Sequence, residues 1–354
     1  TSQALPNVEI VDLTRHRKGS TGVYYLSEPL LRGIRARLEA GEQTILFLNR
    51  RGFSPTVRCD ACSELCECPA CSVTLTLHKR ARTLRCHYCD FTMPADAPCL
   101  HCKERAWVEL GLGTEKLEAD LAAAFPSARL ARLDRDTAQA DGVGKVMERM
   151  RRREIDILVG TQMVTKGHDL PGVTLVGIIL ADQALAFPDF RAQERTFQLL
   201  TQVAGRAGRG ERAGQVVLQT FQPEHPAIAH ARRHDYLGFC QDELLARRDL
   251  LYPPFSRLCA VRIDAADDGV ARRVATELAR LVQRQPEVRS GAVTILGPAP
   301  APIERLRGRY RHRFLLRSAD RGALRAVAAA VVRRLDEGIA PARATVDIDP
   351  VSML

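Results

Sequence analysis

The cysteines of this 354-residue chain are the residues whose spacing points most directly to chemistry. Nine of the 11 cysteines lie between Cys59 and Cys102, and eight of those nine form C-x-x-C pairs. A two-residue gap lets both thiolates of one turn face the same tetrahedral metal ion, and two such turns complete a four-cysteine site. Disulfide frameworks belong to small secreted chains that lack other core-forming residues, whereas 45% of this chain is hydrophobic. The spacing therefore predicts two structural zinc sites.

The four pairs can be divided between two metal ions in more than one way. Pairing neighbouring turns would leave only five residues between Cys62 and Cys68, which is cramped. We therefore expect a nested arrangement, with an inner site enclosed by an outer one, and Cys66 as a free thiol. The outer site takes Cys59, Cys62, Cys99 and Cys102, and the inner site takes Cys68, Cys71, Cys86 and Cys89. Because thiolates fill all four positions, neither zinc has an open position for catalysis.

A second stretch with potential chemistry reads QVAGRAGR and runs from Gln202 to Arg209. Arg206 and Arg209 are three positions apart, with small residues between them, so both guanidinium groups can face one phosphate. In nucleoside triphosphatases such an arginine neutralises charge that develops on the γ-phosphoryl group. The alternative is a basic helix end closed by glycine.

Basic residues elsewhere in the chain suggest contact with a polyanion. The net charge is +10, which favours a partner such as nucleic acid. Arginines occupy every second position entering a predicted strand, namely Arg305, Arg307, Arg309, Arg311 and Arg313. A row of guanidinium groups on one strand face can contact successive phosphates, although charge that protects a solvated edge strand is the alternative. The basic segment 74–85, which connects the inner cysteine turns, is consistent with a hairpin that contacts DNA or a protein partner and equally with a solvated basic hairpin.

The elements that must position these residues are visible in the hydrophobic pattern. Outside the cysteines, residues 28–221 alternate amphipathic helices with short apolar strands, which predicts an α/β fold with a parallel sheet and helices on both faces. The loop 160–169 directly follows a predicted strand, where open α/β sheets bind ligands. After Pro253 and Pro254 the predicted order is β-α-β-β-α-β, the order of an α+β ferredoxin-like domain.

These motifs together resemble the PriA family of superfamily 2 DNA helicases, which restart bacterial replication forks. The stretch QVAGRAGR resembles motif VI and GTQMVTKGHDLPGV resembles motif V, and the four C-x-x-C turns narrow the resemblance further. Similar residues extend from about Thr44 to Pro350. The implied fold is a second RecA-like helicase lobe with an inserted two-zinc cysteine-rich module, followed by a DNA-binding C-terminal domain. We expect a linker or the end of a preceding lobe at 1–22, the lobe at 23–250, the zinc module at 57–106 and the last domain at 251–354.

The resemblance implies an ATP-dependent 3′→5′ DNA helicase that recognises stalled or forked DNA and initiates primosome assembly. The catalytic residues would be Gln202, Arg206 and Arg209, all facing the γ-phosphate, with Arg209 as the arginine finger. Gly167 and Asp169 would also bind nucleotide, and Thr165 and Lys166 would contact DNA. The implied partners are forked, duplex and single-stranded DNA, primosome proteins, single-stranded-DNA-binding protein and loading factors for the replicative helicase.

Two motifs of a complete motor do not occur in this sequence. There is no G-x-x-x-x-G-K-[ST] phosphate loop, since Gly142-Val143-Gly144-Lys145 is too short, and there is no acidic D-E-x-[HD] box. We therefore expect ATP and Mg²⁺ to bind only with a first motor lobe, and the chain alone not to hydrolyse ATP. A zinc-stabilised DNA- and protein-binding primosome scaffold that has lost its motor is the alternative. The polar segment 1–22 and the lack of an apolar run of ~20 residues lead us to expect a cytoplasmic, nucleoid-associated protein and no membrane partner.

Overall fold

The computed structural model describes residues 6–15, 23–49, 56–134, 137, 142–161, 164, 170–205, 207 and 214–353. The chain divides into two compact units. The first comprises Thr1–Arg51, Gly111–Ala186 and Arg191–Asp242, and the second comprises Gly52–Leu110, Phe187–Phe190 and Glu243–Leu354. Within the described part of the chain, no helix is both long and apolar enough to cross a bilayer.

The described secondary structure contains these elements in chain order. The strands are β1 (Asn7–Asp12), β2 (Gln43–Leu48), β3 (Thr56–Cys59), β4 (Thr76–His78), β5 (Thr83–Arg85), β6 (Thr92–Pro94), β7 (Trp107–Leu110), β8 (Leu130–Leu133), β9 (Ile157–Gly160), β10 (Val173–Ile179), β11 (Gln215–Thr220), β12 (Arg257–Ala265), β13 (Thr294–Leu306), β14 (Arg309–Ser318) and β15 (Arg343–Ile348). The helices are α1 (Glu28–Glu39), α2 (Thr114–Ala124), α3 (Val143–Arg151), α4 (Asp182–Leu185), α5 (Ala192–Ala204), α6 (Pro226–Arg232), α7 (Tyr236–Asp249), α8 (Asp268–Gln283), α9 (Pro286–Arg289) and α10 (Arg321–Asp336).

The first unit is built on a parallel sheet. Its strands lie in the order β1-β11-β10-β2-β9-β8, and each neighbouring pair is parallel. Every residue of β2 and β10 is buried, which requires cover on both faces of the sheet. Helices α1 and α5 both pack on β10. The predicted α/β lobe is confirmed.

Helix α1 shows how the sequence fixes this packing. Pro29 stands in its first turn, where a missing amide hydrogen costs nothing. Its apolar stripe buries Leu30 and Ile34 in the core of the unit. Opposite the stripe, Gly177 in β10 leaves room for the helix, since a Cβ there would come within 2.5 Å of Leu46 Cδ2 and 2.8 Å of Leu30 Cδ1.

The start of the chain contains a strand that the sequence pattern did not predict. Residues 7–12, within the segment 1–22 expected to be a linker or the end of a preceding lobe, form β1 and pair with β11 from Asn7↔Gln215 to Asp12↔Thr220. Only Val8 and Val11 are fully buried in this edge strand, so its sequence lacks the continuous apolar run of the central strands. The partner strand, more than 200 residues away, decides its conformation.

The C-terminal part of the second unit has the predicted ferredoxin-like order. Its sheet runs β13-β14-β12-β15 with every neighbouring pair antiparallel. Helices α8 and α10 contact each other and pack on β12 and β14. The core between helices and sheet is made from alternating strand positions such as Val261 and Phe314, together with Leu278 and Val327 of the helices.

Strand β13 is longer than predicted. The sequence suggests a strand that ends near Leu296, because Pro298, Pro300 and Pro302 cannot donate to a sheet. The strand nevertheless continues to Leu306, with irregular register around the prolines, because it lies at the edge of the sheet. A two-residue turn then leads into β14, with φ of 50° at Arg307 and 78° at Gly308.

The cysteine-rich segment forms its own antiparallel sheet, in the order β6-β5-β4-β3-β7. The sequence predicts its basic hairpin, now β4 and β5, but not the sheet as a whole, because all five of these strands have only three or four residues. Expected as an insertion at 57–106 of the helicase lobe, the segment belongs to the same compact unit as the C-terminal domain. A buried cluster that includes Tyr88, Tyr252, Leu258 and Leu315 joins the two parts.

We predict that Gly177→Ala lowers the free energy of unfolding by about 1–3 kcal/mol, because the new methyl group collides with Leu46 and Leu30 in a packed core. The matched control is Gly144→Ala in α3, where a Cβ meets nothing within 4 Å. That change should leave stability unchanged or raise it by up to ~1 kcal/mol through helix propensity. Urea unfolding of both variants measures the difference, and equal stabilities would contradict the proposed close packing.

Candidate metal centres and nucleotide-facing residues

All four C-x-x-C turns have the same backbone geometry. The amide of the first cysteine donates to the carbonyl five residues later. These hydrogen bonds are Cys59 to Glu64 at 2.8 Å, Cys68 to Val73 at 2.9 Å, Cys86 to Phe91 at 2.8 Å and Cys99 to Glu104 at 2.8 Å. The carbonyl of each first cysteine accepts from the residue after the second cysteine. Those donors are Ser63, Ser72, Asp90 and Lys103, at 2.8–3.1 Å.

The residue after each second cysteine has a left-handed backbone conformation. The φ angles are 66° at Ser63, 45° at Ser72, 66° at Asp90 and 70° at Lys103. A side chain in this region costs roughly 1–2 kcal/mol. The turns are therefore held against the local preference of their residues. With no glycine at these positions, spacing is the one property of the sequence that identifies the turns.

The turns bring together two sets of four sulfurs, and these are the sets of the nested arrangement. In the outer set Cys59 Sγ lies 3.5 Å from Cys102 Sγ and Cys62 Sγ lies 3.8 Å from Cys99 Sγ. In the inner set Cys68 Sγ lies 3.6 Å from Cys89 Sγ. These separations far exceed a disulfide bond of about 2.05 Å. They match the roughly 3.8 Å between ligands of a tetrahedron with Zn–S bonds of about 2.3 Å.

Both sets fit a structural metal ion. The four sulfurs of each set lie within 4.8 Å of one another, so one ion can contact all of them. Four thiolates complete a tetrahedron and leave no position for a reactive water. Among the described residues, no other group of three or more histidines, cysteines or carboxylates is close enough to hold an ion.

Cys66 lies outside both sets, as the spacing indicates. Its side chain is 1% exposed and packs in the apolar cluster with Val57 and Leu75. Burial raises the pKa of the Cys66 thiol to about 12. A neutral buried thiol behaves as a small apolar side chain, so Cys66 has a packing role.

Two tyrosines that sequence reasoning missed join the inner set to the rest of its unit. The Tyr252 hydroxyl donates to the carbonyl of Cys71 at 2.8 Å. The Tyr88 hydroxyl oxygen accepts from the amide of Phe190 at 3.2 Å, and the Phe190 ring stacks on Tyr252 at 4.8 Å. Burial raises the pKa of both tyrosines, which keeps the hydroxyls neutral. No motif or periodicity identifies these residues, because their partners are distant in sequence.

The arginine row does not form one exposed face. Arg305 lies in β13, Arg307 lies in the turn, and the other three lie in β14. Arg311 and Arg313 are only 7% and 4% exposed. Arg313 donates to the carbonyls of His87, at 3.2 Å, and Met353, and its guanidinium lies 5.1 Å over the Tyr88 ring. The expected contact of Arg313 with DNA is therefore wrong, because the cysteine-rich segment covers this sheet face.

The remaining arginines of the row are more accessible. Arg305 is exposed and lies 5.1 Å over the ring of Tyr310. Arg309 is half-buried and forms an ion pair with Asp264 at 3.3 Å. Arg307 is exposed at the hairpin turn. These three stay candidates for contact with DNA.

Most of the residues expected to contact nucleotide or DNA at the lobe lie outside the described part of the chain. They are the expected DNA contacts Thr165 and Lys166 and the expected nucleotide contacts Gly167, Asp169, Arg206 and Arg209. Gln202 is described, in the last turn of α5, where it is exposed. Strand β9 ends at Gly160, so the segment that carries the first four follows the carboxyl end of a strand of the parallel sheet, where open α/β sheets bind ligands.

Comparison with protein families identifies three regions of the chain. Residues 248–351 match the "Primosomal protein N C-terminal domain" family. Residues 68–94, which contain the inner cysteine set, match the "PriA DNA helicase Cys-rich region". Residues 105–211 match the "Helicase conserved C-terminal domain".

Curated relatives cover nearly the whole chain. Replication restart protein PriA of Bacillus subtilis is 37% identical over 350 residues, which are 98% of this chain and 43% of that protein. The protein of the same name from Treponema pallidum is 40% identical over 355 residues, covering 99% and 52%. The protein of that name from Synechocystis is 40% identical over 322 residues, which are 89% of this chain and 38% of that protein. The chain thus spans about half the length, or less, of these relatives and matches their C-terminal portion.

We predict two bound metal ions per chain, and Cys71→Ser should reduce this number to one by removing a ligand of the inner set. The matched control, Cys66→Ala, changes a nearby cysteine outside both sets and should retain two ions. Elemental analysis of the purified proteins gives the count. Loss of an ion from Cys66→Ala, or two ions in Cys71→Ser, would contradict the assignment.

Proposed function

The chain belongs to the PriA family of replication restart proteins, and we propose that it is the C-terminal part of an ATP-dependent 3′→5′ DNA helicase that recognises forked DNA and initiates primosome assembly. One observation carries this proposal. Two nested four-cysteine sets lie between β2 and α2 of a parallel-sheet lobe, and a ferredoxin-like domain follows. Cysteine-rich segments and helicase lobes occur separately in many proteins, so their combination in one chain is the specific feature.

We propose that both metal ions are Zn²⁺ and that their role is structural. Zinc suits four-thiolate tetrahedral sites, and the family that matches residues 68–94 is a zinc ribbon. The ions would supply folding free energy to a segment of very short strands.

The nucleotide site would be completed by a first motor lobe. In this proposal Arg206 and Arg209 approach the γ-phosphate, Gln202 orients it, and Gly167 and Asp169 lie beside the nucleotide, with Mg²⁺ bound from the other lobe. The exposure of Gln202 at the end of α5 supports this, since its side chain is free to meet a ligand. Charge stabilisation by an arginine finger acts on a phosphate that other residues must hold.

We propose forked, duplex and single-stranded DNA as the ligands of the complete protein, with Thr165 and Lys166 among the contacts. The chain's net charge of +10 supports a polyanionic ligand. The protein partners would be primosome components, single-stranded-DNA-binding protein and the factors that load the replicative helicase. A location in the cytoplasm with the chromosome follows from these substrates.

The chain alone should not hydrolyse ATP, with or without DNA, because its sequence supplies arginines but no phosphate loop. In the complete protein, Arg209→Ala should lower kcat by about 10³-fold or more. The control is Lys145→Ala, which alters the short Gly-Val-Gly-Lys segment at the start of α3 and should leave kcat unchanged. The measurement is DNA-stimulated release of phosphate by the chain alone, by the complete protein and by its two variants. If the chain alone hydrolysed ATP, and its Lys145→Ala variant did not, the assignment of the chain as lacking a phosphate loop would be contradicted.

The chain should bind a model replication fork in a salt-dependent way and more tightly than plain duplex. Fluorescence anisotropy across a salt series gives the affinity and its slope, which reports the number of phosphates neutralised. Removal of the metal by a chelator should weaken binding, because the cysteine-rich segment shares a compact unit with the C-terminal domain. Absence of binding to either DNA at moderate salt would count against direct recognition of DNA by this part of the protein.

A further inference from the structure

The second unit contains a large open groove that the proposed helicase function does not explain. Its volume is about 1030 Å³, at the upper end of the range for small-molecule pockets. The β4–β5 hairpin of the cysteine-rich segment forms one wall, and β13 with the start of α8 forms the other. The cations in its lining are Lys79, Arg80, Arg85, Arg272, Arg305 and Arg311.

Arg311 stands out among these cations because it is buried and its guanidinium forms no ion pair with a described residue, although Asp264 lies opposite it on β12. Its side chain is 7% exposed and lines the groove. In the described part of the chain, no hydrogen bond or ion pair engages its guanidinium, whereas Arg313, two residues later, donates to two carbonyls. Desolvation, and after it the charge of Arg262, lowers the pKa of Arg311, and the charge of Asp264 offsets only part of this effect.

The carboxylates near Arg311 and in the groove are all engaged by other residues, and Asp264 pairs with Arg309 at 3.3 Å. The three carboxylates of the groove are paired in the same way. Asp90 pairs with Arg85 at 3.3 Å, Asp268 with His312 at 2.9 Å, and Glu304 with His78 at 3.0 Å. A buried charge without a partner is costly, so such a residue points to an anion that binds beside it.

The rim of the groove carries further cations together with the ring of Tyr310. Arg80 and Arg272 are exposed and have no ion pair among the described residues, and Arg305 lies over the Tyr310 ring. Several separated cations suit a ligand with repeated negative charges better than a ligand with one carboxylate. An aromatic ring beside such cations can also stack with an unpaired base, since every base has a flat face.

We propose that this groove binds the backbone of single-stranded DNA and that the Arg311 guanidinium donates to a phosphate at its floor. The inference rests on the proposed function only in taking DNA as the ligand, and it adds a location and an anchoring residue. Sequence periodicity also suggested Arg311 as a DNA contact, but as part of an exposed row of arginines. Arg311 acts from a groove between two parts of the unit and not from an exposed strand face.

The test uses the metal-loaded 354-residue chain and a fluorescein-labelled oligo(dT) probe, with anisotropy recorded across a salt series. Arg311→Gln should weaken binding about tenfold or more, the effect of losing a hydrogen bond to a charged group. The slope of log K against log salt should fall by about 0.7, which corresponds to one phosphate. Arg333→Gln, an exposed position on α10 outside the groove, removes the same charge and should change neither quantity appreciably.

Thermal unfolding separates a binding role from a structural one. Because no described residue pairs with the Arg311 guanidinium, Arg311→Gln should leave the unfolding midpoint unchanged or raise it. If that variant does not fold, the double change of Arg80→Gln and Arg272→Gln at the exposed rim decides the matter. It should weaken oligo(dT) binding several-fold and reduce the salt slope.

The remaining outcomes overturn the inference in distinguishable ways. If Arg311→Gln and the rim variant both bound oligo(dT) with wild-type affinity and still bound the fork, the groove would not be the site for single-stranded DNA. The proposed function would be unaffected. If the Arg311→Gln and rim variants lost affinity for an acidic peptide but kept their affinity for oligo(dT), the groove would be assigned to a protein partner instead. No binding of the wild-type chain to either oligo(dT) or a fork would remove both proposals.

Discussion

The second unit is organised around its two sets of four cysteines, and each set is arranged to hold one metal ion. Strands β4, β5 and β6 have three residues each, and strands this short are not stable by themselves. The four turns also hold a non-glycine residue in the left-handed region. A bound ion would offset both costs, because it would fix four side chains at once and exclude other arrangements of the turns.

The inner metal set also determines how the cysteine-rich segment meets the C-terminal domain. The turn that starts at Cys86 presents the His87 carbonyl and the Tyr88 ring to Arg313, while the Cys71 carbonyl accepts from Tyr252. These contacts cover one face of the ferredoxin-like sheet. The opposite face packs on α8 and α10, so the sheet is enclosed on both sides.

Enclosure of the sheet gives neighbouring arginines different roles. Arg311 and Arg313 are in the same strand, point to the same face and are both buried. Arg313 has carbonyl and aromatic partners, so its charge contributes to packing between the two parts. Arg311 has none among the described residues and faces the groove. A DNA site at this junction would couple binding to the metal-dependent fold of the cysteine-rich segment, because one wall of the groove is its β4–β5 hairpin.

The sequence by itself determined the parallel sheet, the ferredoxin-like order and the two cysteine sets, because hydrophobic period and C-x-x-C spacing are local properties of a chain. It did not determine β1 or the continuation of β13 through its prolines, because a partner strand and an edge position decide those conformations. Nor did it separate Arg311 from Arg313. Period two gives both the same face, but whether that face meets solvent, carbonyls or a groove depends on what covers it, and only tertiary packing decides that.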